Sequence, residues 1–231
     1  MIVDVLIPAL NEEESLPLVL AAIPRSEVRN IYVIDNGSTD GTAKAAVAGG
    51  AQLLFESQRG YGAACLRGVH ELTTQHRPPD VVVFLDGDYA DEPSELRWLL
   101  EPIRAGTADL VIGSRTLGEA EPGALTVQQR VGNRLAVTMI RGIYGQKYTD
   151  LGPFRAIRLP ALVALGMSDR GYGWTVEMQV RAARVGLRVA EVPVSYRKRV
   201  AGRSKISSTV KGTLGASYKI IFTIFRHATA R

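Results

Sequence analysis

The sequence predicts an α/β fold with a mostly parallel central sheet flanked by helices, and three observations carry that expectation. Short apolar runs alternate with helical patterns through the first 115 residues, at a spacing that implies right-handed crossovers. The runs are continuous rather than alternating, as in strands covered on both faces. Polar and acidic residues gather directly after the runs, at the carboxyl edge where open α/β sheets take their ligands.

Taken in order, Val3 to Ile7 is the first buried strand, ended by Pro8, and Asn11-Glu12-Glu13-Glu14-Ser15 opens a helix that runs through Ala22. Ile31 to Ile34 is a second strand, leading into Asp35-Asn36-Gly37-Ser38-Thr39-Asp40-Gly41, a turn-forming loop before an Ala-rich helix to Ala48. Ala51 to Phe55 is a third, followed by Arg59-Gly60-Tyr61-Gly62-Ala63-Ala64 and a helix to about Gln75. Val81 to Leu85 is the fourth, Glu95 to Ile103 is its helix, and Leu110 to Gly113 is a fifth strand ending at Ser114-Arg115.

The second half is less regular. Val127 to Tyr144 has helical spacing with Arg130, Arg134 and Arg141 on polar faces, Phe154 to Ile157 reads as a strand, and Leu159 to Leu165 as a short helix. Trp174 to Val185 is a longer helix carrying Glu177, and Arg188 to Val194 returns as a strand. From Ser207 to Arg226, Val210, Leu214, Tyr218, Ile221, Phe222 and Phe225 fall at helical spacing opposite Lys211, Lys219 and Arg226. The densest apolar part of that helix spans about 18 Å, too short for a hydrocarbon core of ~30 Å. Packing as a last core helix and lying in a membrane interface both fit the pattern. No Pro-, Gly- or Ser-rich linker and no repeat divides the chain, so one domain over residues 1–231 is expected.

A content of 46% apolar and 22% charged residues excludes gross disorder. Charge is uneven: Arg181 to Arg231 holds 12 Lys and Arg against Glu191 alone, and the rest of the chain 16 basic against 22 acidic residues. A basic tail on an acidic body points to a polyanionic partner, whether nucleic acid, an anionic membrane surface or a phosphorylated substrate. Cys65 is the only cysteine, so no internal disulfide forms and a reducing cytoplasm is expected; its small apolar side chain suits the core better than a nucleophile's role. The N-terminus meets Glu12-Glu13-Glu14 early and predicts no signal peptide.

The chemistry centres on Asp86-Gly87-Asp88, placed where the fourth strand ends, with Asp91 close behind. Gly87 permits the bend that turns both carboxylates toward one point. At ~5 Å and an effective dielectric near ~20 the pair repels by about 3 kcal/mol, so a positive partner is expected between them. A hard divalent cation shared with substrate phosphates meets that need; acids that merely cap the next helix are the plainer reading. Gly60-Tyr61-Gly62-Ala63-Ala64-Cys65 begins like a dinucleotide fingerprint but has Cys at the third small position and follows the third strand, which disfavours nicotinamide binding.

Read together, Pro8-Ala9-Leu10-Asn11-Glu12, Asp35-Asn36-Gly37-Ser38-Thr39-Asp40-Gly41-Thr42, Arg59-Gly60-Tyr61-Gly62-Ala63-Ala64, Asp86-Gly87-Asp88, Gly113-Ser114-Arg115 and Gly202-Arg203-Ser204-Lys205 stand in the order seen in family 2 glycosyltransferases. The chain most resembles the dolichyl- or polyprenyl-phosphate sugar synthases. That resemblance implies a GT-A fold, a nucleotide-sugar donor (a UDP- or GDP-hexose), Mg²⁺ or Mn²⁺, and inversion at the anomeric carbon. It implies a nucleotide-sugar half over residues 1–115, an acceptor half over 116–205 and a C-terminal amphipathic helix over 206–231. Position by position, Pro8, Ala9, Asn11, Glu12, Gly60 and Asp35 or Asn36 would line the donor pocket, with Gly87 between the metal pair Asp86 and Asp88. Arg115 and Arg130 would face the acceptor phosphate, and Arg203, Ser204 and Lys205 would close over the diphosphate. Three positions depart from the family: Asn36 replaces a usual Asp, Gly152-Pro153-Phe154 a Ser-Gly-Phe, and Ala90 a metal-ligating Gln, whose place Asp91 or a water would take.

Two acceptor classes follow. A lipid phosphate is largely dianionic at neutral pH and attacks without a general base, and an enzyme acting on it is expected to be peripheral on the cytoplasmic face of the membrane. A hydroxyl acceptor needs a base, for which Glu177 is the candidate, with Trp174 offering a face to a sugar ring; Glu177 paired with Arg181 one turn on is the structural alternative. A nucleic-acid binder is disfavoured, because the basic tail has Tyr196 as its only aromatic between Arg181 and Arg203.

Overall fold

The computed structural model describes residues 1–200 and 219–226. One seven-stranded sheet runs through the molecule in the order β3-β2-β1-β4-β6-β5-β7. Its strands are β1 Val3–Ala9, β2 Asn30–Asp35, β3 Gln52–Phe55, β4 Val81–Phe84, β5 Leu110–Ser114, β6 Arg155–Arg158 and β7 Val189–Pro193. The helices are α1 Leu16–Ala22, α2 Thr42–Ala48, α3 Tyr61–Thr74, α4 Leu96–Arg104, α5 Val127–Tyr144, α6 Leu159–Leu165 and α7 Trp174–Arg184, and residues 219–226 form a further C-terminal helical segment. Val81, Val82, Val83 and Phe84 are fully buried, as their unalternating sequence requires of a strand covered on both sides.

The apolar side chains divide between the two faces of the sheet. Val5, Ile7, Val33 and Val83 pack toward α1 and α4 through Leu16, Leu20, Leu99 and Ile103. Leu6, Ile34, Val82 and Phe84 pack on the opposite face with Leu72 of α3, Ile140 of α5 and Trp174 and Met178 of α7. This is the period-2 division of side chains expected along a strand.

One expectation is corrected. The first strand continues through Pro8, which pairs in register with Ile34, and ends at Ala9. The β4 ladder stops at Leu6 opposite Phe84, so beyond that point β1 is bonded on its β2 side alone and tolerates a residue without an N–H. The sheet is mostly parallel, as expected, with β6 alone running antiparallel between β4 and β5. The crossover through α4 leaves a slot beside β4, and the chain returns from α5 in the reverse direction to fill it. Arg155 then lies buried in mid-sheet, with its guanidinium donating to the carbonyls of Gly152 and Thr175.

Candidate active site

Three strand ends build a cleft of about 340 Å³ at the carboxyl edge of β1, β2 and β4. Pro8, Ala9, Leu10 and Glu12 come from the end of β1, Asn36 from the end of β2, and Asp86, Gly87 and Asp88 from the end of β4. Gly60 and Tyr61 at the start of α3 form a second wall, and Gly171 and Tyr172 a third. The sequence motifs therefore converge, but each residue does a separable job.

Asn11 adopts a left-handed backbone (φ 53°), its N–H donates to Ser38 Oγ, and its Oδ1 accepts from the Thr39 N–H. The Glu12 N–H donates to Thr42 Oγ1 at 2.8 Å, so the β1 and β2 loops are tied side to side. Asp35 Oδ1 accepts from the Ser38 N–H and shapes its own turn. Asn36 Nδ2 donates to the Glu56 and Gln58 carbonyls, and its Oδ1 accepts from the Gly60 N–H at 2.7 Å. Both ends of that amide are used, which a carboxylate in the same place could not do.

Gly60 and Gly62 let a distant loop approach the start of α3. The Gly62 and Ala63 N–H groups donate to the Gly171 and Arg170 carbonyls, and a β-carbon on Gly62 would stand 2.0 Å from the Asp169 carbonyl oxygen. The loop over residues 168–173 thereby becomes part of the cleft wall. Nothing in its local sequence announced this, because the contact is made across more than a hundred residues.

Asp86 and Asp88 face the cleft together. Tyr61 donates its hydroxyl to Asp86 Oδ1 at 3.0 Å, and Asp88 Oδ1 accepts from the Ala90 N–H. Burial, reinforced by the neighbouring Asp88 charge, pushes the Asp86 carboxyl up to about 7. The positive partner present is Arg199, whose Nη2 lies 2.7 Å from Asp88 Oδ2 and whose Nη1 is 3.9 Å from Glu12 Oε1. Residues 195–199 bring part of the basic tail to the acidic edge. Ser195 donates its N–H and Oγ to Glu95, the Arg197 N–H donates to the Ala90 carbonyl, and the Arg197 guanidinium pairs with Glu92 and stacks 4.8 Å over Tyr89. Arg199 was legible only as one member of a basic run; its own role needed the fold. Arg203, Ser204 and Lys205 lie outside the described residues.

Asp91 is buried behind this pair, and neither of its carboxylate oxygens has a hydrogen-bond partner. Burial first, then the charges of Asp86 and Asp88, hold its carboxyl well above the usual range. Among the described residues no three His, Cys, Asp or Glu side chains are grouped to hold a metal ion, and Asp91 is not among the residues lining the cleft. The two cleft carboxylates themselves fit a divalent cation. They are oxygen donors turned to one cavity, with an unfavourable mutual charge that a cation relieves.

The remaining candidates are placed elsewhere. Arg115 forms a two-pronged ion pair with Asp150, Nε to Oδ2 at 2.7 Å and Nη2 to Oδ1 at 2.8 Å, and stacks on Tyr196; it does not line the cleft. Arg130 is exposed on the first turns of α5 and does not line it either. Glu177 is buried in α7 and accepts from the Ser168 N–H and Oγ, the Asp169 N–H and Arg181 Nε. The pairing with Arg181 is the one observed. Trp174 offers no face to a sugar, since it is buried edge-on to Phe84, the ring centroids 5.9 Å apart.

Comparison with known proteins agrees with this architecture. The family model described as glycosyl transferase family 2 matches residues 4–166. An uncharacterised glycosyltransferase of Mycobacterium tuberculosis is 40% identical over 214 residues, covering 92% of this chain and 93% of its own. The undecaprenyl-phosphate mannosyltransferase of Micrococcus luteus is 35% identical over 226 residues (90% and 88%), and the polyprenol monophosphomannose synthase of Mycolicibacterium smegmatis 32% over 222 (89% and 81%). Among solved structures, glucosyl-3-phosphoglycerate synthase from M. tuberculosis, crystallised with Mn²⁺, UDP-glucose and phosphoglyceric acid, superposes with a TM-score of 0.79 at 24% identity, over 100% of this chain and 80% of that one. The fold is GT-A.

Proposed function

The chain belongs to glycosyl transferase family 2, and on that premise we propose that it moves a hexose from a nucleotide-diphospho-sugar to a polyprenyl-type lipid phosphate, with inversion at the anomeric carbon. The observation that carries the reading is the pair Asp86 and Asp88, turned into a cleft walled by the β1 and β2 loop ends. Pro8, Ala9, Glu12 and Asn36 would border the nucleoside, and Gly87, without a side chain, leaves room for the diphosphate. A divalent ion, Mg²⁺ or Mn²⁺, on Asp86 and Asp88 supplies charge stabilisation to the departing diphosphate. Arg199, which reaches Asp88 from beyond the carboxyl end of β7, places a second positive charge where negative charge develops.

The phosphate acceptor is favoured over a hydroxyl on one specific ground. The carboxylate suited by position in sequence to act as base, Glu177, is occupied by four donors and faces the 168–169 backbone rather than the cleft. A phosphate dianion attacks without such a base. The named activities of the M. luteus and M. smegmatis relatives support the same acceptor class. No helix among the described residues is long and apolar enough to cross a membrane.

The test is incubation with a panel of UDP- and GDP-hexoses and Mg²⁺ or Mn²⁺, scoring nucleoside diphosphate release with and without polyprenyl phosphate. Release that depends on both the metal and the lipid phosphate is expected. Transfer to a hydroxyl acceptor alone would overturn the acceptor assignment.

A further inference from the structure

The surface of α5 carries a stripe that the site does not use. Val127, Val131 and Leu135 are 71, 62 and 50% exposed, and they recur at every fourth position. Four residues advance an α-helix by about 40° beyond a full turn, so the three form one slanting band. The opposite side of the helix buries Ala136 and Ile140. Arg130, Arg134 and Arg141, all exposed, project within about 40° of one another beside the band. An ordinary surface helix turns its apolar side inward, and this one shows a second apolar side outward with cations along its border.

The C-terminal segment adds exposed apolar side chains of its own. Tyr144, at the last position of α5, donates its hydroxyl to the Ile224 carbonyl and so ties the C-terminal segment to α5. That segment buries Thr223 and Ile224 but leaves Phe222 and Phe225 about half exposed, with Arg226 beside them. The sequence left core packing and membrane contact as alternatives for this helix; among residues 219–226 one side packs on the body and the other faces out.

We infer that the outward face of α5, together with Phe222 and Phe225, docks on an anionic lipid bilayer. The occupant is argued from charge: an apolar band edged by arginines fits acyl chains below and anionic head groups above, as interfacial helices do. On the side of α5 away from the band, Asn133 donates to the Thr149 carbonyl and accepts from the Leu151 N–H, which fixes the helix on the body of the molecule. This inference rests on the lipid-phosphate reading above for its purpose, but not for its measurement.

The experiment is co-sedimentation of the full chain with phosphatidylcholine vesicles containing 0 or ~30% phosphatidylglycerol, where the anionic fraction sets the head-group attraction. Binding to the anionic vesicles is expected. The triple variant Val127→Ser, Val131→Ser, Leu135→Ser should lower the partition about tenfold or more, and Arg134→Gln with Arg141→Gln about fivefold per arginine, on anionic vesicles only. All five positions are exposed, so far-UV CD and thermal midpoint should match the wild type. Nucleotide-sugar turnover on detergent-dispersed acceptor should be unchanged in the triple variant. Wild-type protein that stays in the supernatant, or a triple variant that sediments as the wild type does, would overturn the inference. So would a wild-type dimer that the triple variant converts to monomer, since the band would then be a self-contact. Loss of transfer chemistry with vesicle binding intact would sink the acceptor assignment alone.

Discussion

Arg199 Nη2 rests 2.7 Å from Asp88 Oδ2, so the aspartate best placed to hold a cation is already paired with a side chain from beyond the last strand. Arg199 and a divalent ion compete for one carboxylate. Removing the guanidinium should therefore tighten Mn²⁺ binding in the absence of nucleotide, by about fivefold for an interaction of ~1 kcal/mol, as read by electron paramagnetic resonance of free Mn²⁺. With a nucleoside diphosphate present the same Arg199→Ala variant should bind the nucleotide more weakly. Weaker Mn²⁺ binding in both conditions would show that Arg199 supports the ion instead.

Asp86 supplies a pH dependence whose sign is fixed by its environment. Burial and the Asp88 charge raise its carboxyl to about 7. The folded protein then holds a proton that the unfolded chain releases near pH ~4. Its contribution to stability is fully present below that value and is lost as pH rises to about 7. The metal-free protein should lose thermal stability across this window, and Asp86→Asn should flatten the decline. Mn²⁺ should restore stability at pH 8 in the wild type and fail to do so in Asp86→Asn, where scanning calorimetry would show no shift.

Glu177→Gln separates a positioning residue from a base. The neutral amide leaves Arg181 without its partner, and loss of one member of a buried pair costs about 3 kcal/mol. A lower thermal midpoint is expected, with much of the turnover retained well below it. Near-complete loss of kcat in a protein of unchanged stability would return Glu177 to the role of a base.

Asn36→Asp would install the residue usual in the family, yet should weaken this fold. The new carboxylate would face the Glu56 and Gln58 carbonyls, which now accept from Asn36 Nδ2. A loss of about 1–3 kcal/mol in urea-induced unfolding is expected for leaving those acceptors unmet. Equal or greater stability would mean that the β3 loop rearranges around the acid.

Much of the core was written in the chain. Continuous apolar runs such as Val81 to Phe84 and the helical spacing of Ala136 and Ile140 in α5 specify element type through burial, a local property that repeats along the backbone. The acidic ends of strands announced the cleft for the same reason, since a chain leaving a buried strand must expose polar groups at its edge. Tertiary structure alone decided three things. It turned β6 antiparallel into the slot between β4 and β5, spent Arg115 on Asp150, and brought Arg199 onto Asp88. Each is a pairing between segments far apart in sequence, and periodicity, which records only whether a side chain is buried, carries no information about which partner it meets.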